Sequence, residues 1–278
     1  MHRACRVDVN VEICKNHRIT CYEKTSQMTK NLANHHKTPV LLIDPASKSA
    51  FYIFNSNEWA EISRATVSSC AAQYGLLNYS VRKLHDLYNI SDRLCMPKFN
   101  DLKAQWSISE WPTDDCIYLA EVPEVHLFIN VFLNSVKALL DLIVQLISTE
   151  KIVYKKIHGF HKKGKDPGGE ILHTLKNKVN DIESSVSLLR LISDHKIKWI
   201  DDVVNARDSL VHPAMGLLQV MFQLEIKPKG KEMTLVSIKK PSIGDLDFDQ
   251  YAEKTFNHIS DFSKSFITVL KSHNKAAS

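Results

Sequence analysis

The sequence predicts a mainly α protein: a C-terminal helical bundle with one inserted β-hairpin, preceded by a small α+β region. Three observations carry that expectation. Residues 121–148, EVPEVHLFINVFLNSVKALLDLIVQLIS, are apolar around most of a helical circumference. Their polar members Asn130, Asn134, Lys137, Asp141, Gln145 and Ser148 recur at steps of three or four, which sets them on one narrow stripe. Helical periodicity returns over about 170–192, 196–212 and 248–272. In between, VMFQLEIKPKGKEMTLVSIKK (220–240) alternates in strand fashion on either side of Pro228–Gly230, the pattern of a hairpin.

Upstream, Val7, Val9, Val11 and Ile13 alternate with polar residues, and RITCYE (18–23) is placed to pair back after Lys15-Asn16. VLLID (40–44) and AFYIF (50–54) read as a second hairpin-like unit around PASKS. Residues 57–96 are helical in character, with a break expected near Gly75 to Ser80, and 97–115, which hold Pro97 and Pro112, read as connector. The chain therefore divides into an α+β region over 1–115, of unassigned role, and the bundle over 116–278.

Composition narrows the function classes. Among 278 residues, 44% are hydrophobic and 24% charged, ordinary values for a globular chain, and the net charge of +5 leans mildly toward anionic partners. MHRACRVDVNVEIC lacks the apolar centre of a secretory signal, and the polar stripe interrupts the apolar run at 125–147, so a cytoplasmic setting without a membrane span is expected. The six cysteines form no CxxC pair. Cys5, Cys14, His17 and Cys21 lie in an alternating pattern that points them to different faces, so neither disulfides nor a metal site is expected, and no cofactor.

On a helical wheel over 197–212, Ile197, Ile200, Val203, Val204, Ala206, Leu210 and Val211 share one half of the circumference, and Arg207 falls near its middle. A guanidinium there needs an anionic partner. His212 lies past the edge of that arc, where Pro213 makes continued helix unfavourable. Arg207-Asp208-Ser209-Leu210-Val211-His212 resembles the R-x(4–6)-H motif of the HEPN superfamily (higher eukaryotes and prokaryotes nucleotide-binding domains). In that family the motif closes a bundle helix and a polar residue commonly follows the arginine; Asp208 stands here where asparagine is more usual. The same spacing recurs in RLISDH, from Arg190 to His195, but Leu191 follows that arginine and the pair is treated as a coincidence of spacing.

The resemblance spans roughly residues 116–272 and implies a HEPN-like bundle acting as a metal-independent endoribonuclease. It implies a homodimer whose two motif helices form one composite cleft, in a toxin-like or antiviral role. Arg207 would hold the scissile phosphate and His212 would act as general acid or base. The rival reading is a noncatalytic helical module that binds RNA, a nucleotide or a regulatory protein partner.

Supporting residues are drawn from the sequence around this motif. Lys137 and Asp141, at i and i+4, could support Arg207, touch RNA, or simply form a solvated pair. Residues 150–178 hold eight lysines against Glu150, Asp166 and Glu170. Within that stretch His158, His161, Lys162, Lys163 and Lys165 are candidate phosphate contacts. The same loop approaches a Walker A motif from Gly159 to Lys165, but Asp166 stands where a Ser/Thr hydroxyl would bind Mg²⁺, which argues against nucleotide hydrolysis.

Overall fold

The computed structural model describes residues 52–105, 114–160, 168–211, 218–229 and 232–277, with side-chain surroundings given through 273 apart from 211. It is mostly helical with small antiparallel sheets. Helix α1 spans Glu61–Asn89, α2 Ser91–Gln105, α3 Pro123–Thr149, α4 Gly169–Asn177, α5 Ile182–His195, α6 Asp201–Val211 and α7 Phe248–Ala277.

Helix α3 is the centre of the core. Pro123 starts it at the one position where a missing N–H costs nothing. Val125, Ile129, Phe132, Leu133, Val136, Leu140, Ile143, Val144 and Ile147 are all buried. Its length and composition would also suit a membrane span; here half of its most apolar window is buried inside the protein, against α1, α6 and α7. A Schellman motif ends it: Lys151 adopts φ +58°, its N–H donates to Ser148 O at 3.1 Å and that of Ile152 to Ile147 O at 3.1 Å.

Helix α1 presents Val67, Cys70, Tyr74, Leu77, Leu84 and Tyr88 along one buried stripe, packed on α3 and α7. The break expected near Gly75–Ser80 does not occur. A mid-helix glycine costs only about 1 kcal/mol, and the buried stripe continues in register on both sides of it. Residues 91–105, read largely as connector, form α2 around Pro97, with Cys95, Phe99 and Leu102 buried and the helix lying against the hairpin strands. Of AFYIF, expected as a strand, Tyr52 and Ile53 lie in a helical turn. Short apolar runs do not distinguish strand from buried helix, and here Ile53 and Phe54 simply join the core. Thus residues 52–105, assigned from sequence to a separate N-terminal region, form one compact unit with the C-terminal helices. The strands expected before residue 51 lie outside the described residues.

The predicted hairpin is present as β3 (Phe222–Lys229) and β4 (Glu232–Lys239), with Phe222, Leu224 and Ile226 alternating into the core. It gains a third strand that the sequence reading missed: β1, Cys116–Ala120, pairs antiparallel with β3 from Cys116↔Ile226 to Ala120↔Phe222. Three two-residue strands, β2 (Leu218–Gln219), β5 (Ser242–Ile243) and β6 (Leu246–Asp247), make a second small sheet in the order β2-β5-β6.

The helix expected over 170–192 is broken. After Asn177 the chain straightens so that Val179 bridges Val153, and Asp181 then caps α5 by accepting from the N–H groups of Glu183 (3.0 Å) and Ser184 (3.3 Å). The next helix also departs from regularity: Lys196–Ile200 form a turn of π-helix between α5 and α6. Its wider turn re-phases the faces. Trp199 and Ile200 turn inward, while Ile197, placed on the apolar half by a uniform wheel, is 82% exposed.

Candidate functional site

The polar stripe of α3 is neither bare nor merely solvated; it works as a row of anchors. Read from the C-terminal end backwards, Ser148 Oγ accepts from the N–H of Ile157 at 3.3 Å, Gln145 Nε2 donates to His158 O at 2.8 Å, and Asp141 Oδ1 accepts from the N–H of Phe160 at 2.6 Å. Lys137 pairs with that same Asp141 oxygen. One helical turn further, Asn134 Oδ1 accepts from Nε of Arg207 at 3.3 Å. The stripe thus holds the segment after α3 antiparallel to the helix and steers the guanidinium of α6.

Between α3 and α6 lies a cleft of about 270 Å³. Leu133, Val136, Val203 and Val204 give it an apolar floor, Phe160 closes one wall, and Lys137, Arg207 and Asp208 supply its polar groups. Arg207 reaches it from the edge of the buried face of α6, its side chain 37% exposed, and Nη1 donates to Asp208 Oδ1 at 3.3 Å. A guanidinium so placed is oriented but not neutralised. The pair is long and half-open to water, where such pairs contribute under about 1 kcal/mol, and among the described residues Nη2 takes no partner.

Phe160 is fixed by two features. Its backbone N–H is held by Asp141, and its ring lies against Gly168, whose φ is +67°. Phe160, in the cleft wall, and Gly168 are therefore set beside each other. Lys155 pairs with Glu170 at 2.6 Å, a further tie between the chain before Phe160 and the chain after Gly168.

Of the residues singled out from sequence, the structure brings together Arg207, Asp208 and Lys137, with Asp141 one turn away holding Lys137 and Phe160. His158 is exposed and meets α3 only through its carbonyl, so it does not line the cleft. His212, His161, Lys162, Lys163 and Lys165 lie outside the described residues. Sequence reasoning left out Asn134, Phe160 and Gly168. Asn134 stood in the polar stripe as a visible signal; the pairing of Phe160 with Gly168 has no signature in the chain.

The second match to the motif behaves differently. Arg190 is exposed on α5, while His195 accepts from Nε1 of Trp199 at 2.9 Å and packs on Phe262 at 5.2 Å between ring centres. Burial, with Lys198 and His258 nearby, lowers the pKa of His195 below its ordinary value. Neither side chain lines the Arg207 cleft.

Among the described residues no group of three or more His, Cys, Asp or Glu side chains is arranged to hold a metal ion. Comparison with family models, with curated proteins and with solved structures finds no match for this chain.

Proposed function

We propose that this chain is a metal-independent endoribonuclease with a HEPN-like bundle, and that Arg207 and His212 carry its chemistry. The observation that supports the reading best is the setting of Arg207. It lies at the rim of a cleft, aimed by Asn134 and Asp208, with Lys137 of α3 lining the same cleft. Two cations over an apolar floor suit a phosphodiester: Arg207 binds two phosphate oxygens and offsets the charge that develops on them.

In the proposed reaction the 2′-oxygen of RNA attacks the adjacent phosphorus, the bond to the 5′-oxygen breaks, and a 2′,3′-cyclic phosphate is left. The proton leaves the 2′-hydroxyl and one is delivered to the departing 5′-oxygen; His212, five residues past Arg207, serves as base or acid for these transfers. Dependence on the 2′-hydroxyl selects RNA over DNA. The lysines at 162, 163 and 165, which follow Phe160 in the chain, add sequence-independent attraction for the backbone. A homodimer that joins two such clefts, in the cytoplasm, in a toxin or antiviral role, completes the reading.

One observation favours the rival. Arg207 already has partners in its own chain, Asp208 and Asn134, as a noncatalytic binding module would allow. Incubating the protein with structured and unstructured RNA in EDTA separates the two. Cleavage that survives chelation and disappears in Arg207→Ala and in His212→Ala supports the enzyme. Salt-sensitive binding without cleavage supports the module, and equal cleavage by all three proteins marks a contaminant and ends the proposal.

A further inference from the structure

The sheet β1-β3-β4 ends in an open edge. Among the described residues β1 pairs with β3 alone, and α2 lies against β3 and β4. In an antiparallel strand each residue aims its N–H and C=O to one side, and successive residues alternate. Every second residue of Cys116–Ala120 therefore turns both groups away from β3, where no described strand meets them.

Proteins commonly blunt such an edge with a lysine, a proline or a bulge, because a bare one accepts a further strand. Cys116–Ala120 carries none of these. The register shift of this sheet falls between β3 and β4, at Glu225 and Ile226, and leaves the β1 ladder regular. Side chains sharpen the contrast. Ile117 and Leu119 share the outer face of β1 and are 58% and 51% exposed. Beside Ile117 on β3, Glu225 is met by Ser237 Oγ at 2.5 Å and by Lys239 at 2.7 Å. The charged part of that face is satisfied within the sheet, while its apolar part sits at the open edge.

Charge selects what can dock there. Asp115 precedes the strand, and Glu121 and Glu124 follow it, all three exposed. Lys227 meets Asp115 at 2.9 Å and His126 stands 3.5 Å from Glu121, so these ends already draw cations. A second copy of the chain is disfavoured. Antiparallel pairing of β1 with itself over all five residues sets Asp115 of one chain opposite Glu121 of the other, just beyond each end of the ladder. A strand with basic ends meets the same carboxylates favourably. We infer that the open edge of β1 takes up an extended peptide segment of another protein, apolar at alternate positions and flanked by lysine or arginine, which adds as a fourth strand. The edge shares no residue with the Arg207 cleft, so this binding is independent of RNA cleavage.

Fluorescence anisotropy of the full chain with a labelled peptide tests this. The peptide alternates valine and threonine over five residues between paired lysines at each end. It is expected to bind with a Kd of about 100 μM or tighter. Versions with glutamate for every lysine, or with proline at the central residue, are each expected to bind at least about tenfold more weakly. Leu119→Lys and Glu121→Lys, changes at exposed positions outside the core, should each weaken binding about tenfold or more, while Arg207→Ala leaves it unchanged. Hydrogen exchange of the amides at 116–120 should slow with the lysine peptide, a change that charge attraction elsewhere on the surface would not produce. Absence of binding by the lysine peptide, binding indifferent to Leu119→Lys or to the proline, or unchanged exchange in β1 would overturn the assignment. So would sedimentation showing self-association that Leu119→Lys abolishes, since the edge would then belong to a second copy.

Discussion

The ring of Phe160 occupies the space that a side chain on Gly168 would need: an ideal Cβ there would lie 2.2 Å from Cζ of Phe160, at a backbone φ of +67°. Both sterics and backbone conformation therefore demand glycine. Gly168→Ala is expected to cost about 2 kcal/mol or more, since Phe160 is fully buried and cannot swing aside without strain. Urea denaturation measures it, and an unchanged midpoint would show that Phe160 and Gly168 are not locked together here.

Asn134 steers Arg207 without sharing its charge. Asn134→Ala should leave thermal stability within about 0.5 kcal/mol of the wild type, because the bond is long and exposed. Under the proposed reaction it should lower kcat severalfold with a smaller change in KM, since orientation matters most as charge develops on the phosphate. Asn134→Asp, which keeps an acceptor at the same place, should recover part of the loss. Equal kcat for all three proteins rules out a positioning role.

The π turn sets the phase between α5 and α6. Ile197 is 82% exposed, so Ile197→Asp is expected to change stability by less than about 0.5 kcal/mol. Deleting Ile197 removes the extra residue and turns either Trp199 or Arg207 away from its place. That deletion should cost several times as much as the substitution, read as a lower urea midpoint and altered Trp199 fluorescence. Equal effects from deletion and substitution would argue against phase control.

Asp181 both caps α5 and meets Nδ1 of His273 at 2.5 Å, joining the end of α7 to the start of α5. Hydrogen bonding from Ser184, with His273 adding to it, lowers its pKa below the ordinary 3.8. Folded Asp181 therefore binds its proton more weakly than the unfolded residue does. The stability it adds is complete above about pH 3.8 and is lost as pH falls through the lower folded value. Asp181→Asn should flatten the acid limb of the stability curve below that pH and leave its slope near neutrality alone. An acid limb of undiminished slope would falsify this assignment.

Burial pushes the Cys70 thiol up to about 12 and that of Cys95 up to about 11. Neither supplies thiolate near neutral pH, and both are buried. Brief alkylation at pH 8 followed by peptide mass spectrometry should find both unmodified in the native protein and labelled after denaturation. Rapid native labelling of Cys70 would mean that α1 opens away from α3.

The sequence by itself determined the helical class, the central helix, the hairpin and the closing helix, because long amphipathic periods and strict alternation are local signals. It also determined that α3 carries one polar stripe; Arg207, expected near the middle of the apolar arc, lies instead at the edge of the buried face, 37% exposed. Tertiary structure decided what those features meet. The stripe became a row of anchors for residues 157–160 because the Schellman turn at Lys151 sends the chain back along α3. Cys116–Ala120 became a strand only because β3 offers it an edge, and a five-residue run with one buried position carries too little pattern to declare itself. Ile197 turned outward because a π turn, invisible to a wheel of uniform pitch, intervenes. The residue after each arginine already set RDSLVH apart from RLISDH, and packing then put Arg207 at a cleft rim and left Arg190 on an exposed helix face.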